Sequence, residues 1–169
     1  MNRVGIALGS NLGDRLANLH AAQKCLHDIA MPGEVFLKAS IYQTEPHLCP
    51  PGSPFFYNSA VELAFGGTAF ELLEITQAIE RDLGRVGSHV RNAPRLIDLD
   101  MLYFGDEVID ADSLVLPHPR LGERRFVLQP LAEILPQLIL PGRDRNIVAM
   151  LKELRSDESP LIRVFPSEI

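Results

Sequence analysis

The 169 residues, 46% of them hydrophobic, suffice for one domain with a real core and are short for two. A formal net charge of -6 argues against general nucleic-acid binding, which needs an excess of Lys and Arg, and no apolar run nears the ~18 residues of a membrane span. With two cysteines at no metal-ligand spacing and no secretory leader pattern, a soluble, cytoplasmic monomer without a membrane partner is expected.

Arg3 to Leu8 reads as a strand ending in the turn cluster Gly9-Ser10-Asn11. Asp14 suits a helix N-cap, and Leu16, Leu19, Ala22, Leu26 and Ile29 recur at helical spacing until Pro32-Gly33. Val35 to Tyr42 supplies a second strand. Thr44 to Pro54, crowded with prolines, is expected to be an exposed loop. Phe55 to Phe65 resumes an extended pattern, and Thr68 with Glu71 forms a capping box for a helix carrying Leu72, Ile75, Thr76, Ile79 and Leu83, closed by Gly84. The span from Gly84 to Pro94 has almost no hydrophobic content and reads as a mobile loop. The resulting order, βαββαβ, is that of a ferredoxin-like sandwich, an α/β (α+β) fold with an antiparallel sheet and helices packed on it. Later segments read as additions within a single domain, 1–169: short extended pieces at 107–109 and 114–116, a helix from Phe126 to Leu135 with Pro130 in its first turn, a helix over 147–154 and an extended tail over 161–165.

Two carboxylates interrupt the apolar strand Ile97 to Phe104. Side chains two apart on a strand share a face at roughly 7 Å, so Asp98 and Asp100 point together, with Leu102 and Phe104 continuing that face and Ile97, Leu99, Met101 and Tyr103 lining the other. Two like charges so close are costly unless neutralised, and a divalent cation would serve. Ordinary strand-end acids fit the same pattern. Of 13 arginines, seven fall between positions 81 and 125, flanking the pair. Their planar donors suit phosphate oxygens, although solvated surface arginines would look the same.

No G-x-x-x-x-G-K-[ST] loop is present, and Gly9-Ser10-Asn11-Leu12-Gly13 is too short for one. Nucleophile settings such as G-x-S-x-G are also missing. His118, held between Pro117 and Pro119, is a better ligand candidate than His20, His27 or His89. A nucleotidyltransferase would pair Gly-Ser with a nearby Asp-x-Asp, whereas Ser10 and Asp98 are far apart. A ligand-sensing module without catalysis would explain fold and pocket but not a carboxylate pair with clustered arginines.

Taken together, Gly9-Ser10-Asn11-Leu12-Gly13, Tyr42-Gln43-Thr44-Glu45-Pro46, Phe56-Tyr57-Asn58-Ser59-Ala60-Val61, Pro94 to Gly105, and Pro117-His118-Pro119-Arg120 followed by Arg124-Arg125-Phe126-Val127-Leu128 resemble, in order, the landmarks of the 6-hydroxymethyl-7,8-dihydropterin pyrophosphokinase family. The resemblance implies transfer of the β,γ-pyrophosphoryl group of ATP to the pterin hydroxymethyl group, releasing AMP, in folate biosynthesis. It further implies that Asp98 and Asp100 hold two Mg²⁺ ions, that Arg85 and Arg95 clamp phosphates as catalytic residues, and that Thr44, Pro46, Phe56, Asn58, Asp98 and Phe126 meet the pterin. Glu80, Arg91, Arg95, Met101, His118 and Arg124 match ATP-side positions. The loop before the Asp strand departs from the family at Asn92, where many members carry a bulky aromatic, and at Gly87, where some carry a basic residue. Weaker closure of that loop, or closure that uses His89, is expected.

Overall fold

Large and small residues alternate along the first strand, and that alternation organises the sheet. In β1 (Asn2–Ser10) the side chains of Val4, Ile6 and Leu8 are buried on one face, while Gly5, Ala7 and Gly9 occupy the other. The computed structural model describes residues 1–45, 51–84, 96–155 and 161–164. Within them β1 is flanked by β4 (Phe56–Phe65) and β5 (Asp98–Phe104), both antiparallel to it. The sheet runs β5-β1-β4-β3-β8, with β3 at Ile41–Thr44, β8 at Ile162–Val164 and the short β2 (Leu37–Lys38) also paired to β4. Gly9 and Ser10, expected in a turn, extend β1 because they pair with Asn58 and Tyr57. The single strand expected over 35–42 is instead two, broken at Ala39-Ser40. Both Ser40 N and Ser40 Oγ donate to the Glu133 carboxylate, which draws the main chain out of the ladder.

Helices α1 (Arg15–Ile29) and α2 (Ala69–Asp82) cover the face bearing Val4, Ile6 and Leu8. Asp14 accepts from Ala17 N at 3.0 Å, and the Thr68 and Glu71 side chains exchange the two bonds of a capping box, so both predicted starts hold. Gly84, at φ +94, ends the second helix in a conformation that suits glycine. This is the ferredoxin-like βαββαβ arrangement. Among the described residues, no helix is long and apolar enough to cross a membrane.

The opposite face carries α3 (Arg125–Ile134) and α4 (Ile147–Glu153), which bury Val127, Leu128, Leu131 and Ile147 against Leu102 and Tyr103. Pro130 stands in the interior of α3, not its first turn, and is buried there. It forfeits one main-chain bond, offset by the apolar face around it. A small hairpin, β6 (Ile109–Asp110) with β7 (Val115–Leu116), precedes α3.

The face assignment along β5 needs correction beyond Met101. The register slips between Gly5 and Ile6, which pair with Tyr103 and Met101, leaving Leu102 as the extra residue of a bulge. Alternation therefore resets: Phe104 joins Leu99 and Met101 in the α1/α2 core, whereas Tyr103 lies with Leu102 on the face of Asp98 and Asp100. There Tyr103 packs over Gly5, where a side chain would not fit, and its hydroxyl donates to Glu62, which also receives Arg3 at 2.8 Å. Burial and Glu62 push the Tyr103 hydroxyl far up, so it stays protonated as the donor.

Candidate active site

Strand register assembles the site at one end of the α3 face. Gly9 pairs with Asn58 on one side and Asp98 on the other, and Asn58 pairs in turn with Tyr42. One row thus crosses four strands, from Tyr42 through Asn58 and Gly9 to Asp98. Neighbouring rows add Thr44 beside Phe56 and Ala60 beside Ala7 beside Asp100. Thr44, Phe56 and Asn58 therefore share a face with the carboxylates, as strand alternation requires. The floor between them consists of Gly9 and Ala7, small enough to leave room above the sheet.

Asn58 is buried, and its amide Nδ2 donates to Thr44 Oγ1 at 2.8 Å. That bond turns Oδ1 toward Gly9, where a modest substituent would already meet it at 3.2 Å. The carbonyl oxygen is a fixed acceptor over the open floor. Phe126, half-buried, lies in the first turn of α3, the helix that packs on this face. The Arg124 guanidinium lies 5.5 Å from its ring centroid.

Asp98 and Asp100 are half-buried at the start of β5. Burial, with Arg120 nearby, makes the charge of Arg124 costlier than usual, while Asp100 and Asp98 act in the opposite sense. His118 follows the cis Leu116–Pro117 bond, and its main-chain N–H donates to Leu102 O at 2.8 Å, tying the loop to β5. Burial above all, then Arg124 and Arg120, hold the His118 imidazole below its ordinary pKa against the pull of Asp98. Nδ1 of His118 accepts from Arg120 N at 3.1 Å, so the neutral ring carries its proton on Nε2. The result is a neutral donor and a cation beside two carboxylates.

Glu80 and Met101 are both held at β5. The Met101 side chain is in the core under α1 and α2. Buried on α2, Glu80 accepts from Leu99 N at 2.7 Å. Its carboxylate thus holds the outer edge of β5 between the two aspartates. Pro46, Arg85, Arg91 and Arg95 lie outside the described residues, as does the loop from 85 to 94 with Gly87, His89 and Asn92. Sequence reasoning missed Gly9 as the site's floor, although Val4-Gly5-Ile6-Ala7-Leu8-Gly9 already carries the alternation that places it there.

As a metal site, Asp98 and Asp100 form a pair of hard oxygen donors. Among the described residues, no group of three or more His, Cys, Asp or Glu could hold a metal ion. A pair fits Mg²⁺, which takes one or two carboxylates and completes its shell with phosphate oxygens and water.

The family model for 7,8-dihydro-6-hydroxymethylpterin-pyrophosphokinase (HPPK) matches residues 5–136. A 2-amino-4-hydroxy-6-hydroxymethyldihydropteridine pyrophosphokinase from Bacillus subtilis is 48% identical over 139 residues, which are 82% of this chain and 81% of that protein. The folate synthesis bifunctional protein of Arabidopsis thaliana is 38% identical over 133 residues, spanning 78% of this chain but 27% of that one. A Plasmodium falciparum HPPK-DHPS crystal structure superposes with a TM-score of 0.70 over 90% of this chain and 44% of its own, at 13% identity, a likeness of fold.

Proposed function

Because this chain belongs to the 7,8-dihydro-6-hydroxymethylpterin-pyrophosphokinase family, we propose that it transfers the pyrophosphoryl group of ATP to the hydroxymethyl group of 6-hydroxymethyl-7,8-dihydropterin, a step of folate synthesis. The observation that carries this reading is the single row in which Asn58, Gly9 and Asp98 face the same way. It sets an amide suited to a pterin edge on β4 and a carboxylate suited to a metal–nucleotide on β5, with only Gly9 of β1 between them.

In this reading the flat pterin lies between Phe56 and Phe126, and stacking of this kind contributes about 0.5–1.5 kcal/mol per aromatic pair beyond burial. Asn58 Oδ1 accepts from the ring's amino edge, its orientation set by Thr44, and Pro46 completes that wall. Asp98 and Asp100 hold Mg²⁺, two ions by family resemblance, with the triphosphate. Bound there, Mg²⁺ neutralises phosphate charge, orients the triphosphate and acidifies the hydroxyl. Arg91, Arg124 and the Nε2–H of His118 donate to the nucleotide, and Arg85 and Arg95 clamp phosphates as charge develops. The pterin oxygen bonds to the β-phosphorus as the bond from that phosphorus to the oxygen bridging the α-phosphorus breaks. AMP departs with the bridging oxygen, and the hydroxyl proton passes to solvent. Positioning and charge then account for the catalysis without a dedicated protein base.

Incubation with Mg²⁺, ATP and the hydroxymethyldihydropterin is expected to yield AMP and the pterin diphosphate in equal amounts. ADP as the product would mean an ordinary kinase, and no pterin-dependent product would mean a binding module.

A further inference from the structure

The main chain entering β4 is gripped from the α1 side by contacts that none of the roles above uses. Residues 51–55 lie in no helix or strand, and Phe55 is exposed. Phe56, the first residue of β4, is thus approached by irregular chain. At this point Arg15, the first residue of α1, donates Nη1 to Phe55 O at 2.8 Å, and its guanidinium lies 4.0 Å from the centroid of the Tyr57 ring. Asn11 adds a longer bond, Nδ2 to Pro54 O at 3.5 Å. One guanidinium therefore holds both chain neighbours of Phe56.

Alternation gives that grip a consequence across the sheet. Tyr57 belongs to the α1/α2 side, so Phe56 must face the other way, toward Asn58 and the carboxylates. We propose that Arg15 is a positioning residue for the pterin wall: by fixing the Phe55 carbonyl and the Tyr57 ring, it holds Phe56 in the attitude that a flat ring needs. The inference rests on the pterin reading of the site. A wall ordered beforehand spares the ligand the cost of ordering it. An exposed arginine contact adds little to global stability, so the effect falls on binding. The nucleotide side is built on β5, His118 and Arg124 and does not depend on this grip.

The test is steady-state kinetics of AMP formation, with thermal melting, for Arg15→Ala and Arg15→Lys. Arg15→Ala is expected to raise the KM for the pterin roughly tenfold, a loss matching one charge-assisted hydrogen bond. Its KM for ATP should stay within about twofold of wild type, and its melting temperature within about 3 °C. Arg15→Lys, which keeps a donor for Phe55 O but not the planar stack, should recover part of the loss. An unchanged pterin KM would overturn the proposal, as would equal rises in both KM values with a fall in melting temperature. If Arg15→Ala does not fold, the same comparison is made on Arg15→Lys: a selective rise in pterin KM supports the role, and wild-type values overturn it. Wild-type protein that forms no pterin-dependent AMP would instead sink the underlying reading, and this inference with it.

Discussion

Replacing Asp98 with Ala is expected to abolish pterin-dependent turnover while the protein stays folded. Asp98 is the first residue of β5 and half-buried, and the strand is anchored beyond it by Leu99, Met101 and Phe104 in the α1/α2 core. The chemistry has no such reserve. A metal site with two protein carboxylates loses half of its anionic ligands. The transition-state stabilisation that a bound cation supplies is several kcal/mol, a rate effect on the order of 10³-fold or more. Circular dichroism and thermal melting should match wild type, and Mg²⁺-dependent turnover within tenfold of wild type would contradict the assignment.

Gly9→Val is expected to produce the second-largest loss, from a position that carries no functional group. A Cβ at Gly9 would stand 3.2 Å from Asn58 Oδ1 and 3.8 Å from Phe56 Cδ1. The two γ-methyls of Val would then occupy the gap between Asp98 and the residues proposed to meet the pterin. Valine suits a strand, so β1 should keep its pairing. A displacement of about 1 Å between reacting groups costs on the order of 10²-fold, and a similar drop in kcat/KM is predicted. Binding of an ATP analogue should survive far better than binding of the pterin. If both fell together, the damage would be to the fold and not to the gap.

Much of this was legible in the sequence because the signals were local. Asp14, Thr68 with Glu71, and Gly84 mark helix ends by side-chain chemistry that acts within a few residues, and the structure shows each at work. The shared face of Asp98 and Asp100 followed from strand alternation alone. What escaped was non-local. The bulge at Leu102, which sends Phe104 to one face and Tyr103 to the other, is a property of β1 and β5 together. The break at Ser40 arises from Glu133 on a helix that reaches β3 only in the folded chain. Glu80 matched a nucleotide-side position by resemblance. Its bond to Leu99 N, which braces the aspartate strand from its outer edge, depends on how α2 lies against β5. Gly9 is an intermediate case, since its alternation with Leu8 was readable but its neighbours Asn58 and Asp98 were set by pairing.

Asp98 and Asp100 are proposed to hold the metal ions on which ATP and the pterin converge. Electron paramagnetic resonance with Mn²⁺ in place of Mg²⁺, in the presence of a non-hydrolysable ATP analogue, counts the ions that the protein binds. Two Mn²⁺ per chain are predicted for the wild type, and loss of both for the variant carrying Asp98→Asn with Asp100→Asn. Unchanged Mn²⁺ binding in that variant would contradict a metal-binding role for the two aspartates.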